Sequence, residues 1–330
     1  MTSLYLTEQG SVVRQTGDRL IVCRNGEPLA ELPLLKIERV IVFGHVHLTT
    51  GAISALLRHG IDTTFLSWHG RLKGRLVPLE SKNIPLRLAQ YERTRDQQFT
   101  IGLARKIVAA KVQSSLRVIQ RYRRNHPDWD DQEAIFALEQ VLGSIDRAVT
   151  LDSLRGLEGH AASIYFSSYG RMFRRSLRFD KRSRRPPRDP INAALSLGYS
   201  LLFGEAVAVV SSIGFDPYLG FLHAPDYGRC SLALDLMEEF RAAIVDRLVL
   251  TLFNNEVLLP EDFTTGEGVW FSPEAKKRFL SEYEGVMQRA FISRHTGHRT
   301  TFRRLLWGQA EHLAETVKTG SAYTPYVAEP

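Results

Sequence analysis

The sequence predicts an α+β fold in which a small N-terminal β-rich domain precedes a larger, mainly α-helical domain. Two observations lead to this prediction. Short apolar runs separated by turn residues fill roughly the first 80 positions, whereas the remainder shows the apolar spacing of helices. Pro78 and Pro85 lie in a polar connection between the two patterns. We therefore place the domains at 1–82 and 83–330.

The first domain is predicted to contain six strands and one helix. Turn residues such as Asn25 and Gly26 separate the strands. The helix covers 51–59, with Thr49 or Thr50 as its N-cap and Gly60 as its C-terminal stop. The predicted strands cover 3–6, 12–15, 19–24, 37–43, 62–66 and 72–77.

The second domain reads as a series of helices. A long helix is predicted over 86–124, where Asn125 and Pro127 end it, and another over 132–147. Asp189 followed by Pro190 has the pattern of an N-cap with proline at the first helical position, which starts a further helix. Gly214 ends that helix, and the last ten residues of the chain are expected to be loose.

Composition excludes several classes of protein. With 44% hydrophobic residues the chain is an ordinary folded protein rather than a disordered one. Two distant cysteines, Cys23 and Cys230, exclude a disulfide framework and a cysteine zinc cluster. The N-terminus has neither a basic leader nor an apolar run, so we expect a cytoplasmic protein. Glu205 interrupts the most apolar stretch, 193–215, which predicts a buried helix and no membrane segment.

The net charge of +7 is unevenly distributed. One stretch of the second domain is rich in cations and contains only two acids, Asp180 and Asp189. Such a stretch is typical of a surface that binds phosphates, although a solvated loop would have the same composition. Its cations are Arg171, Arg174, Arg175, Arg178, Lys181, Arg182, Arg184, Arg185 and Arg188.

Two acids three positions apart, Asp235 and Glu238, are the first candidates for chemistry. On a helix they lie about 60° apart and share one face, to which Arg241 returns and where it can orient a carboxylate or meet a phosphate. The lone His223 stands upstream in a loop rich in glycine and proline. Carboxylates with an imidazole suggest a divalent metal, whereas a solvated helix edge is the alternative for the acids alone.

A glutamate between two glycines is the next candidate. Gly156 and Gly159 flank Glu158 within a helical pattern, and each costs about 1 kcal/mol relative to alanine there. The glycines would let another backbone or a substrate phosphate approach closely, leaving Glu158 in a crevice. Tight helix packing beside an exposed glutamate is the alternative.

Four stretches together resemble a known family, the CRISPR-associated integrase-endonuclease of spacer acquisition, also called the first CRISPR-associated protein. The order and separation of the stretches match, and the likeness covers nearly the whole chain. Ala242 departs from the pattern, since many members have proline there. The stretches are LEGHAA at 157–162, RPPRDPINAALSLGY at 185–199, GFDPYLGFLH at 214–223 and LDLMEEFR at 234–241.

The resemblance implies a metal-dependent DNA endonuclease and integrase. It implies that Glu158, His223 and Glu238 ligate the metal, with Asp235 as a supporting acid of the catalytic site. Oxygen ligands with one imidazole suit Mg²⁺ or Mn²⁺. His223 can alternatively transfer a proton. The arginine-rich stretch and Arg241 would then bind DNA.

In this family, the 3′-hydroxyl of a short DNA duplex, the prespacer, attacks a phosphodiester of the CRISPR repeat, and water as the nucleophile gives the nuclease reaction. The resemblance also implies a homodimer formed through the β-rich domain, with a second, smaller CRISPR-associated protein as partner. Two other functions compete with it. A non-catalytic DNA-binding scaffold would use its acids structurally, and a tyrosine recombinase would use Tyr165 or Tyr199 as nucleophile.

Overall fold

The computed structural model describes residues 2–78, 83–174 and 177–329. The chain divides into two compact units, Met1–Glu80 and Ser81–Pro330. Strands dominate the first unit and helices the second, so the predicted α+β class is confirmed.

The first unit is built from two four-stranded sheets. One has the order β1-β5-β7-β8, parallel except for β8, and the other has the order β4-β3-β2-β6. Helix α1, Thr50–Arg58, carries the predicted Thr49 N-cap, whose side chain accepts from the Ala52 amide. The strands are β1 Thr2–Leu6, β2 Val12–Thr16, β3 Arg19–Arg24, β4 Glu27–Pro33, β5 Ile37–Phe43, β6 His47–Leu48, β7 Asp62–Leu66 and β8 Leu72–Leu76.

All six predicted strands are confirmed, and two others were not predicted. Most of β4 is exposed, because it is an edge strand, and its charges hide the alternation that marks a half-buried strand. β6 is only two residues long. The core of this unit is formed by aliphatic side chains such as Val13, Leu20 and Leu56.

The second unit contains nine α-helices and two short hairpins within the described residues. A π-helical segment, Ala242–Asp246, separates α7 from α8. The hairpins pair β9 Phe263–Thr265 with β10 Val269–Phe271, and β11 Phe291–Ile292 with β12 Arg299–Thr300. The helices are α2 Ile84–Arg95, α3 Gln97–Asn125, α4 Gln132–Ile145, α5 Leu151–Gly170, α6 Pro190–Ile213, α7 Ser231–Glu238, α8 Arg247–Asn254, α9 Pro273–Gln288 and α10 Phe302–Thr319.

The single long helix predicted over 86–124 is wrong. The chain breaks at Asp96, whose backbone is extended and whose side chain accepts from the Phe99 amide as the N-cap of α3. The sequence offers this capping residue inside an otherwise helical pattern, and the cap ends one helix and begins the next.

Helix α6 forms the centre of the second unit. Asp189 caps it as predicted, Pro190 occupies its first turn, and Gly214 ends it with φ 110°. Among the described residues it is the one helix long and apolar enough to cross a membrane, but 78% of its most apolar window is buried by other parts of the chain. It is therefore the predicted buried core helix.

The expectation that the last ten residues are loose is wrong. Tyr323, Tyr326 and Ala328 are buried. The Lys106 ammonium donates to the Tyr323 carbonyl over 2.8 Å, and the Ala328 amide donates to the Ser114 hydroxyl over 2.9 Å. Buried aromatic rings and backbone hydrogen bonds fix this C-terminal segment on α3.

Candidate active site

The loop that carries His223 is held from two sides. Asp235, on α7, accepts from the backbone amides of Phe221, Leu222 and His223 over 2.6, 3.0 and 3.0 Å. From α5, the Arg155 guanidinium donates to the Leu222 carbonyl over 2.9 Å. Three backbone positions are therefore fixed by one carboxylate, which is fully buried. Glycine is needed at 220, where a Cβ would lie 2.7 Å from Oδ2 of Asp235.

Asp235 also orients the imidazole. Nδ1 of His223 lies 2.7 Å from Oδ1 of Asp235. An ionised carboxylate only accepts, so we assign the ring proton to Nδ1, which leaves Nε2 with a free lone pair. This arrangement is typical of histidines that bind metals, in which a carboxylate behind the ring fixes the tautomer.

Helices α3, α5 and α7 bring Glu158 and Glu238 to one cation. The Lys111 ammonium donates to Oε1 of Glu158 and lies 2.8 Å from Oε2 of Glu238. The two glutamates are 80 positions apart in sequence. The structure therefore joins two of the three predicted metal ligands, with a lysine that the sequence did not single out.

Cations around Glu238 favour its ionised form. Burial raises the pKa of the Glu238 carboxyl, but the charges of Arg241 and Lys111 outweigh it, so the pKa lies well below its ordinary value. Oε1 accepts from Arg241 over 2.7 Å, while Oε2 lies near Lys111 without a well-aligned hydrogen bond. Glu238 is therefore a buried carboxylate that stays charged.

Arg241 packs against a buried cluster of tyrosines. The Arg241 guanidinium lies 4.2 Å from the centroid of the Tyr199 ring. Asp246, in the π-helical segment, accepts from the hydroxyls of Tyr199 and Tyr165, the latter over 2.9 Å. Burial is the main cause that raises the pKa of both tyrosines. Neither hydroxyl is available as a nucleophile, so the structure is against a tyrosine recombinase.

The two glycines beside Glu158 face open space. A Cβ added at Gly156 or Gly159 would meet no atom within 4 Å outside the helix. Tight helix packing is therefore not the reason for these glycines. They leave bare backbone and open space on either side of Glu158.

The cations of the arginine-rich stretch fall into three groups. Exposed side chains are those of Arg171, Arg174, Arg178, Lys181, Arg184, Arg185 and Arg188. Arg175 lies outside the described residues. Arg182 is largely buried, donates to the side chains of Asn192 and Ser196, and has its pKa lowered by burial to about 10.

Two of the ten cations predicted to bind DNA are therefore not exposed surface groups, and the prediction is wrong for them in this respect. Arg182 fixes the start of α6, and Arg241 is paired with Glu238 and stacked on Tyr199. Burial distinguishes these two arginines from the exposed cations, and the sequence alone does not show which arginines are buried.

Among the described residues, no three His, Cys, Asp or Glu side chains stand ready as a metal-binding group. Two of the predicted ligands are nonetheless close, since Glu158 and Glu238 share the ammonium of Lys111, and the third, His223, is held by Asp235 on the helix that carries Glu238. Sequence reasoning missed Lys111 and Asp246. One signal was available for Asp246, a carboxylate eight positions after Glu238 in an apolar helix.

Comparisons with known proteins first define the class of this protein. Its relatives are CRISPR-associated endonucleases. A relative from Thermus thermophilus, CRISPR-associated endonuclease Cas1 3, is 35% identical over 94% of this chain and 92% of its own length. One from Moorella thermoacetica, CRISPR-associated endonuclease Cas1 1, is 34% identical over 95% and 92%. The family model described as CRISPR associated protein Cas1 matches residues 4–285, and the chain belongs to this family. The resemblance seen in the sequence motifs is confirmed.

Solved structures agree with this assignment. A casposase bound to its integration product has a TM-score of 0.86 and 25% identity, covering 98% of this chain and 93% of its own. A chain of a partial Cas6-RT-Cas1–Cas2 complex has a TM-score of 0.68 and 25% identity, covering 99% and 98%. The protein is thus an enzyme of the endonuclease and integrase type, and the non-catalytic scaffold is set aside.

Proposed function

We propose that this protein inserts short DNA duplexes into the CRISPR repeat at a metal site made by Glu158, His223 and Glu238. The observation that carries the proposal is the convergence of Glu158 and Glu238 on one cation, with Glu238 buried and Glu158 largely shielded from solvent. Asp235 acts through His223 rather than as a ligand, because its oxygens accept from the loop amides and the imidazole.

The residues fit a hard divalent cation. Two carboxylates and an imidazole nitrogen are oxygen and nitrogen ligands of the kind that Mg²⁺ and Mn²⁺ accept. Oε2 of Glu238 is buried and has an ammonium near it but no well-aligned hydrogen bond, so it can turn its lone pairs to a metal. Enzymes of this family are in general metal-dependent, and we propose Mg²⁺ or Mn²⁺ here.

A bound metal would supply Lewis-acid stabilisation of the negative charge that grows on the leaving oxygen. The chain's own groups do the rest. Asp235 and Arg155 hold the His223 loop, so the imidazole presents Nε2 in one orientation. Arg241 holds Glu238 ionised and fixed. The bare helix surface at Gly156 and Gly159 lets the DNA backbone approach Glu158.

We further propose double-stranded DNA, as prespacer and as repeat, for the exposed cations of the arginine-rich stretch. Arginine and lysine side chains bind the phosphate backbone without reading bases, so this surface would bind duplexes with little dependence on their sequence. The casposase relative is bound to an integration product, and the name of the partial complex pairs Cas1 with Cas2. The first supports DNA as a partner, and the second supports the second, smaller CRISPR-associated protein.

A homodimer through the first unit is also proposed. Edge strand β4 is largely exposed, and Leu29 within it and Leu35 just after it present apolar side chains to solvent. An exposed strand edge with apolar neighbours is suited to pairing with a second copy of the same chain.

The metal-site assignment is tested by Glu158→Gln and Glu238→Gln, which remove a charged ligand with little change in shape. We expect each to slow Mn²⁺-dependent joining of a labelled duplex to a repeat-containing plasmid by at least ~100-fold. Joining is measured with the small partner present, with and without a chelator. Glu315→Gln is the matched control, because Glu315 pairs with Lys318 in an exposed ion pair. Wild-type rates in both site variants would overturn the assignment.

A further inference from the structure

Lys111 is the cation that joins the two catalytic glutamates. Its side chain is 18% exposed, against 17% for Glu158 and 3% for Glu238, so all three groups are shielded from bulk water. The ammonium contacts one oxygen of each carboxylate. It comes from α3, while the carboxylates come from α5 and α7, so the contact depends on the packing of three helices.

We propose that Lys111 is a built-in competitor of the catalytic metal for Glu158 and Glu238, and that it sets the metal affinity of the site. The inference rests on the proposed function, which places a divalent cation on the same two carboxylates. An ammonium and a divalent cation repel each other, and at a distance of a few ångström in a shielded site this repulsion is large. The two cannot both sit between these oxygens.

The flexible lysine stem makes the competition reversible. Four methylene groups let the ammonium turn away while the helix stays in place, which a backbone donor could not do. Lys111 also has a role without a metal, since it keeps Glu158 and Glu238 from repelling each other. Its two functions oppose one another: it stabilises the carboxylate pair and raises the metal concentration needed to load the site.

The test measures Mn²⁺ binding by isothermal titration calorimetry on the full chain without DNA. We expect Lys111→Met to tighten Mn²⁺ binding about tenfold or more, and to enlarge the rise in melting temperature that Mn²⁺ produces. Lys111→Gln, which is polar and uncharged, should act in the same direction and decides the matter if the methionine variant does not fold.

Lys106→Met is the matched control. Lys106 lies on the same helix, but its ammonium donates to the Tyr323 carbonyl rather than to a carboxylate of the site. Its Mn²⁺ affinity should stay within about twofold of wild type.

Two results overturn the inference in different ways. If Glu158→Gln and Glu238→Gln abolish Mn²⁺ binding while the Lys111 variants bind as wild type or more weakly, the metal site stands and the competition is wrong. If the glutamate variants bind Mn²⁺ as wild type does, the proposed metal site itself fails, and the role of Lys111 falls with it.

Discussion

Asp235 and Glu238 lie three positions apart on one short helix, but they have different partners and different roles. Asp235 is saturated with donors, three loop amides and one imidazole nitrogen. Glu238 instead faces the cations Lys111 and Arg241. The sequence predicted their shared face and, through the family resemblance, their unequal roles. The loop contacts that make Asp235 a positioning residue depend on the fold of a distant segment, so helical geometry alone could not predict them.

Replacing Asp235 with asparagine tests its positioning role. An amide would turn a donor toward at least one backbone N–H, leaving buried groups unpaired, so we expect the free energy of unfolding to fall by ~2 to 4 kcal/mol. Integration should fall as well, because the imidazole loses its fixed orientation. Chemical denaturation and the plasmid-joining assay measure the two effects.

Asp226→Asn is a suitable comparison for that variant, because Asp226 lies in the same loop and is exposed. It should change the unfolding free energy by less than ~0.5 kcal/mol. Equal stabilities of the Asp235 and Asp226 variants would show that the loop does not depend on the buried carboxylate.

At the scale of elements, the helical stretch around Glu238 is interrupted, yet the apolar residues that recur along it at helical spacing are buried. Met237, Phe240, Ile244 and Leu248 are all buried. The π-helical segment Ala242–Asp246 adds a residue to the turn and places Asp246 under the tyrosines. Periodicity predicts which side of a helix faces the core, but a single wide turn changes the pattern too little to be seen in the sequence.

The C-terminal segment is held to the end of α7 by hydrogen bonds to Glu239. Glu239, the residue after the proposed ligand, accepts from the Tyr323 hydroxyl, from the Tyr326 amide over 2.7 Å and from Gln309 over 2.9 Å. Burial raises the pKa of Glu239 to about 7, although these hydrogen bonds lower it. A tail that looks polar and loose in sequence is ordered because it satisfies a buried carboxyl group.

Tyr323→Phe therefore removes a donor from a buried acceptor. We expect a loss of ~2 kcal/mol in the free energy of unfolding, measured by denaturant titration with the slope unchanged. Tyr227→Phe removes the same hydroxyl from a fully exposed ring and should leave stability within ~0.5 kcal/mol of wild type. A tail that contributes nothing to the fold would make the two variants indistinguishable.

For the whole molecule, the order of strands and helices was predictable because it depends on local periodicity and turn residues. The approach of Glu158 to Glu238 was not, since it depends on how α3, α5 and α7 pack. The family resemblance supplied that grouping, and it carried no information on Lys111. Burial also separated the cations: Arg182 became a structural residue, while Arg184, Arg185 and Arg188 stayed at the surface.

That separation leads to a prediction about the electrostatics of the whole chain. Replacing Arg184, Arg185 and Arg188 with alanine should weaken binding to a labelled duplex. The negative slope of log affinity against log salt should become shallower by about 2 to 3, since each phosphate contact contributes ~0.9 to its magnitude. Fluorescence anisotropy over a range of salt concentrations gives the slope. The comparison is a triple alanine variant of Arg14, Lys36 and Lys73, three exposed cations of the first unit. Their replacement lowers the net charge of +7 by the same three units. If net charge alone governs DNA binding, both variants shift the slope equally; if the arginine-rich surface binds the phosphates, only the first one does.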